Sequence, residues 1–297
     1  MTERQYNRAY QKRLLRNSSE WVEPFRNVIA AQYKAVAKDL SASTDIAAIV
    51  SPLPYLKLYY RLYLNIGMKE AMLRFNQYVK QKKNGEEILY EWGNFLRNHV
   101  ETQLGNRVTK VAETTRKHIQ EVIEQGLKDG EGYDKIARQL RKIAGDESLK
   151  GRINPRARAL LIARTEGVNA SNLGAMQAAK ASGLLMEKSW LHGYNARRKN
   201  RTAHILLGRE KGIPMDRPFM VNGKLMQYPG DPAGGAEECC NCKCTVTFKP
   251  VRDPLGNSMS LVFDERESMT SRLLRIAVTS TILTQVFESL FGEEVSL

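Results

Sequence analysis

Apolar positions recur every three to four residues through most of the first half of the chain. Between Glu20 and Lys38 the stripe is Trp21, Phe25, Val28, Ile29 and Gln32, which with Ser18 and Ser19 ahead of it predicts a serine-capped helix. Ser51-Pro52-Leu53-Pro54 is a break, because each proline removes a donor and restrains the residue before it. The pattern is helical again from Tyr55 to Lys83, and Tyr55, Tyr59, Tyr60, Tyr63, Phe75 and Tyr78 stand at spacings that predict core packing rather than a base-stacking platform. Asn84-Gly85 closes that run. Glu86 opens a long helix to about Leu127, stopped by the DGEG turn at 129–132, and a short helix follows before a basic link, LKGRINPRAR. Ahead of all this, residues 1–17 carry Arg4, Arg8, Lys12, Arg13 and Arg16 at helical spacings, which reads as a mobile arm or a helix that orders on a partner.

The pattern changes after Pro155, which suits the first position of a helix running from Arg156 to Ser182 and closed by Gly183. Ala157, Ala159, Ala163, Ala170, Ser171, Gly174, Ala175, Ala178 and Ala179 give that helix small residues on every side, so it is expected to pack on two sides. Strand-like alternation appears only beyond about residue 187, in LLMEKSWLH and CKCTVTFKPV, with a helical turn or two at RTAHILLG and a hairpin-like turn at Asn222-Gly223. The expected fold is α+β: a helical N-terminal region over 1–150 (arm 1–17, long helices 20–145), a small α+β domain with a short sheet over 151–250, and a linker with an amphipathic C-terminal helix over 251–297.

Composition narrows the function classes. The chain has 297 residues, 42% hydrophobic and 26% charged, as ordinary globular proteins do. It has no apolar run of about 18 residues to cross a membrane. Its charged N-terminus is not a secretory signal, which points to a cytoplasmic protein. The net charge is +14, with 26 Lys and Arg against 18 Asp and Glu in residues 1–150, 16 against 7 in 151–250, and 4 against 7 in 251–297. A basic body with an acidic tail suits nucleic acid or a polyanionic assembly. The densest run, Arg197-Arg198-Lys199-Asn200-Arg201, is either a solvated loop or a phosphate contact that would be salt-sensitive and sequence-independent.

All four cysteines lie between Cys239 and Cys244, downstream of His204. In a reducing compartment such a cluster is more readily a metal site than a disulfide set. His204 with Cys242, Cys244 and one upstream cysteine, Cys239, would complete a tetrahedral zinc site. The other reading is a buried strand with small thiol side chains beside a core histidine. Cys239 to Cys242 is a C-x-x-C step that a turn could close, whereas Cys240, Cys242 and Cys244 would share a face on a strand. Glu166, mid-helix beside Arg164 and Thr165, would accept hydrogen bonds from Arg201 or from the turn at His204. Tyr228-Pro229-Gly230-Asp231 reads as a type II turn whose Asp231 could reach Arg197 or Arg198.

The ordered set ARTE at 163–166, Trp190, the Arg-rich approach to His204, LLG at 206–208, PF at 218–219, MQYPGDP at 226–232 and NCKC at 241–244 resembles the phage Mu F-like minor head protein family, the phage head morphogenesis domain. The resemblance covers about residues 135–248; neither the N-terminal helices nor the acidic tail falls under it. The family often has Asp near the position of Asn195. The resemblance implies a minor head protein of a tailed phage or prophage, with Arg164, Glu166, Trp190, Tyr228 and Asp231 as the structural core of the motif. Its implied partners are the portal, other head proteins and packaged double-stranded DNA. Its implied location is the host cytoplasm during assembly and then the virion head. No enzymatic activity is implied; the competing reading is a nuclease or transferase using His204 as general base, Glu166, and Arg201 to hold a phosphate.

Overall fold

The computed structural model describes residues 3–78, 85–145, 154–193, 201–252, 254–256 and 258. The chain opens with helices α1 (Glu3–Ser19), α2 (Val22–Lys38), α3 (Ile46–Ile49) and α4 (Leu53–Leu62), then a π-helical turn, Tyr63–Gly67. After it come α5 (Met68–Tyr78), α6 (Gly85–Gln103), α7 (Gly105–Lys128) and α8 (Tyr133–Gly145). The α+β expectation holds. No helix among the described residues is long and apolar enough to cross a membrane.

Sequence and structure differ at three places in this half, each for a local reason. Residues 1–17 are not a free arm: α1 lies on the body, with Tyr10 and Leu14 buried against Val168 and Arg13 bound to Glu70 at 2.9 Å. Because α1 continues through Ser19, neither serine caps the next helix; Trp21 occupies that position without a side-chain cap, and Ser19 Oγ instead donates to the Arg16 carbonyl. The single helix expected over 86–127 is two, α6 and α7, parted at Leu104. The tyrosines behave as expected: Tyr55, Tyr59 and Tyr63 are fully buried, with Phe25 edge-on to Tyr59.

The organising element is α9 (Pro155–Ala181). Asn154 caps it by accepting from the Ala157 N–H, and Pro155 sits in its first turn, where a missing N–H costs nothing. Every residue from Thr165 to Ala179 is buried, so this stretch has no solvent face. It packs against α1, α2, α5 and the π-helical turn on one side and a strand on the other. Small residues make that possible. At the tightest point a Cβ on Gly174 would lie 2.1 Å from the Gly67 carbonyl oxygen, and backbone cannot step aside as a side chain can. Gly174→Ala is therefore expected to push α9 off the π-helical turn and cost about 3 kcal/mol, the upper end of overpacking effects, measured as a lower denaturant midpoint.

After α9 come β1 (Met186–Leu191), α10 (Thr202–Leu207), β2 (Ile213–Pro214), β3 (Phe219–Val221), β4 (Lys224–Met226), α11 (Gly235–Cys239) and β5 (Thr245–Pro250). The strands form an antiparallel sheet ordered β2-β1-β5 and a separate β3-β4 hairpin. Trp190 pairs with Val246 and Leu191 with Thr245. The hairpin turns at Asn222 and Gly223, both with positive φ (47° and 78°), as the Asn-Gly pair suggests. Residues 259–297, including the expected C-terminal helix, lie outside the described residues.

Candidate metal centre

Three elements bring the centre together. Helix α10 packs on β1 and β3 and carries His204 into the interior. The helical turn α11 supplies Glu238, and the chain then reverses at Asn241, with φ 55° and a hydrogen bond from Cys242 N to the Cys239 carbonyl at 3.2 Å. That reversal carries Cys242 and Cys244 beneath His204 just before β5 begins. His204 Nδ1 lies 3.6 Å from both the Cys242 and the Cys244 sulfur, and the three ligand atoms are all within 4.8 Å of one another. All three residues are at most 3% exposed. Trp190 closes the floor edge-on to the imidazole, with centroids 5.0 Å apart, and packs in the same manner on Phe219.

The other histidine nitrogen is fixed. His204 Nε2 is 2.9 Å from Glu238 Oε2, and Glu238 Oε1 accepts from Asn222 Nδ2 at 2.8 Å. A carboxylate only accepts, so Nε2 carries the proton and Nδ1 turns its lone pair to the two sulfurs. A carboxylate behind a ligating imidazole is how metal-binding histidines are oriented. The two thiols differ in their proton affinities. Cys242 is pushed well up by its hydrogen bond with Cys244, by burial and by the nearby Cys244 charge. At Cys244 burial pulls upward, yet hydrogen bonds from the Cys242 thiol and the Gly193 N–H outweigh it and bring the thiol down.

This donor set fits a metal ion. A Zn–N distance of ~2.0 Å and a Zn–S distance of ~2.3 Å at a tetrahedral angle put nitrogen and sulfur roughly 3.5 Å apart, against the 3.6 Å seen twice here. Soft sulfur and imidazole donors select zinc over hard cations. Cys239 stands outside the group of three. Its thiol donates to the Asp231 carbonyl at 3.0 Å, and burial pushes its pKa up to about 12. The reason is its place in α11, which aims the side chain away from His204; Cys240, next along, is exposed.

The remaining sequence-predicted residues lie outside the group of three ligands. Glu166, 4% exposed, takes hydrogen bonds from Tyr63 at 2.8 Å, Tyr59 at 3.4 Å and Asn169 at 3.1 Å, with Arg107 Nη1 3.6 Å away. The expected partners, Arg201 and the His204 turn, are bound elsewhere. Arg201 donates to the Cys240 carbonyl at 2.9 Å and lies 3.8 Å from Glu238. Arg164 is half-buried on α9. Tyr228 is buried, and its turn closes through Asp231 N to the Tyr228 carbonyl at 3.0 Å, with Gly230 at φ 92° as a type II turn requires. Asp231 accepts from the backbone N–H groups of Gln227 and Ala233. Arg197, Arg198 and Lys199 lie outside the described residues.

Three buried polar residues escaped the sequence reading. Asn172, wholly buried on α9, donates to the carbonyls of Pro229 and Cys244 and accepts from Thr245 Oγ1 and Val246 N, tying the YPGD turn, the cysteine loop and β5 to one amide. Lys188 on β1 is fully buried, donates to the Gln227 carbonyl and side chain at 3.0 and 2.7 Å, and has its pKa drawn down to about 8 by burial. Glu238 is the third. For Asn172 the signal was present: an amide inside a helix with small residues all round it has no solvent face to occupy.

A helix whose second half has no solvent face, a short antiparallel sheet and a His/Cys/Cys group follow one another along this part of the chain. Residues 117–247 match the model of the family described as Phage Mu protein F like protein. The match begins inside α7 and ends in β5, so it includes His204, Cys242 and Cys244. Among curated relatives, the minor head protein GP7 of Bacillus phage SPP1 is 34% identical over 134 residues, 44% of this chain and 40% of that protein. The matched region thus spans well under half of that relative. No solved structure matches.

Proposed function

We propose that this protein is a minor head protein of a tailed phage or prophage, that it acts in head assembly at the portal vertex, and that it contacts packaged double-stranded DNA. The observation that carries the reading is the match of residues 117–247 to the Mu F-like family, beside the similarity to a relative named as a minor head protein. His204, Cys242 and Cys244 hold a structural Zn²⁺ in this reading, and the ion supplies cross-linking of α10 to the β5 approach rather than chemistry on a substrate. Burial favours that role over a nuclease or transferase. A general base must reach the proton it abstracts, whereas His204 is 2% exposed, packed on Trp190 and bonded to Glu238. Glu166 is likewise spent on tyrosines and Arg107. The protein works in the host cytoplasm during assembly and ends in the virion head.

Co-expression with the portal and capsid proteins of the same phage or prophage tests this directly. The protein should enter heads at low copy number and co-purify with portal; its exclusion from heads assembled in its presence would overturn the proposal. For DNA, replacing Arg197, Arg198 and Lys199 by Ala should make the plot of log affinity against log salt shallower by roughly 0.9 for each phosphate that is no longer neutralised. An unchanged slope would return this run to a solvated loop. Arg201 is better tested alone, since its guanidinium also holds the Cys240 carbonyl.

A further inference from the structure

The N-terminal helix makes contacts that its sequence does not suggest. From α1, Gln11 Nε2 donates to the Lys243 carbonyl at 2.6 Å, and Asn7 Nδ2 donates to the His192 carbonyl at 2.8 Å. Lys243 stands between Cys242 and Cys244, and His192 follows the last residue of β1. These two segments already touch backbone to backbone, since a Cβ on Gly193 would lie 2.1 Å from the Lys243 oxygen. Tyr10, on the same helix beside Gln11, is 1% exposed. Residues far apart in sequence therefore close the back of the cysteine loop.

We infer that Asn7 and Gln11 are positioning residues for the Cys242–Cys244 loop, so that docking of α1 and metal binding at His204, Cys242 and Cys244 strengthen each other. The inference rests on the metal reading for its second half and on the hydrogen bonds for its first. A Cys-x-Cys loop has few ways to point two sulfurs at one imidazole nitrogen. Its intervening peptide must be held in place, and Gln11 donates a hydrogen bond to that peptide's carbonyl. Outer partners of this kind change metal affinity by about 10- to 100-fold when removed. The exposed face of the same helix, with Arg8, has no part in the contact.

The test uses the full chain. In an Asn7→Ala/Gln11→Ala variant, zinc should pass to a competing chelator dye about 10- to 100-fold faster than from the wild type. Gln11→Arg on the Asn7→Ala background, which restores a donor, should recover part of the difference, and Arg8→Ala should behave as wild type. Reciprocally, chelating the wild-type protein should speed amide hydrogen exchange in α1 and leave α2 unchanged. Equal dissociation rates with unmoved exchange in α1 would overturn the inference. Should the double variant fail to fold, the wild-type exchange measurement decides alone. If elemental analysis finds no metal in the wild type, the metal reading fails by itself. Iodoacetamide then tests the loop: Cys242 and Cys244 should alkylate faster in the double variant, because a loosened loop opens more often, and equal rates refute the positioning role.

Discussion

If His204, Cys242 and Cys244 hold zinc as proposed, chelating it from the folded protein is expected to lower the melting temperature by about 10 °C. With free zinc about a thousandfold above the dissociation constant, occupancy stabilises the fold by about 4 kcal/mol, which in a chain of this size is about 10 °C. The effect is large because the ligands come from separate elements. His204 stands on α10, and Cys242 and Cys244 stand beyond the reversal at Asn241, so an unfolded chain has no preformed site and binding energy becomes folding energy. His204→Ala should lose the metal outright and add a cavity beneath Trp190. Calorimetry with and without chelator, beside metal analysis, checks both. Zinc-free protein with an unaltered melting curve would leave the two cysteines as buried core thiols.

The helical half was legible because period alone carries it. The stripe through Trp21, Phe25 and Ile29, the prolines of 51–54 and the Pro155 start all lie in local sequence, and the structure uses them locally. The Asn222-Gly223 and Tyr228–Asp231 turns were legible for the same reason, since positive φ demands particular residues. What stayed hidden is tertiary. Nothing near residues 1–17 says that their inner face meets Val168 and the cysteine loop, so the surplus of arginine points the wrong way. Likewise Cys239 looks like a ligand by spacing, and only the helical turn that carries it sends its thiol to the Asp231 carbonyl. The convergence of His204, Cys242 and Cys244 was readable from residue type, but Glu238 behind the imidazole was not. A carboxylate in EECC has no local mark that sets it apart from the exposed Glu237 beside it.

Glu166→Ala should cost about 3–5 kcal/mol, the usual penalty for leaving a buried charge without its partner. Arg107 keeps only 18% of its side chain exposed, and the Glu166 charge beside it raises its pKa against the pull of burial. The Tyr59 and Tyr63 hydroxyls, whose pKa values stand well above the ordinary through burial and then the Glu166 charge, would lose their acceptor at the same time. The network spans α4, the π-helical turn, α7 and α9, and Arg107 also donates to the Gly230 carbonyl of the YPGD turn at 3.4 Å. Losing Glu166 is therefore expected to loosen the N-terminal helices and the YPGD turn together. Replacing both charges, as in Glu166→Leu with Arg107→Met, should cost less than the two single changes summed, because an apolar pair carries no desolvation penalty. Denaturant midpoints of the four proteins measure that difference. Strict additivity would show that Arg107 and Glu166 stabilise the fold independently. A Glu166→Gln protein of full stability that loses a measurable nuclease or transferase activity would transfer this residue from the scaffold to a catalytic site.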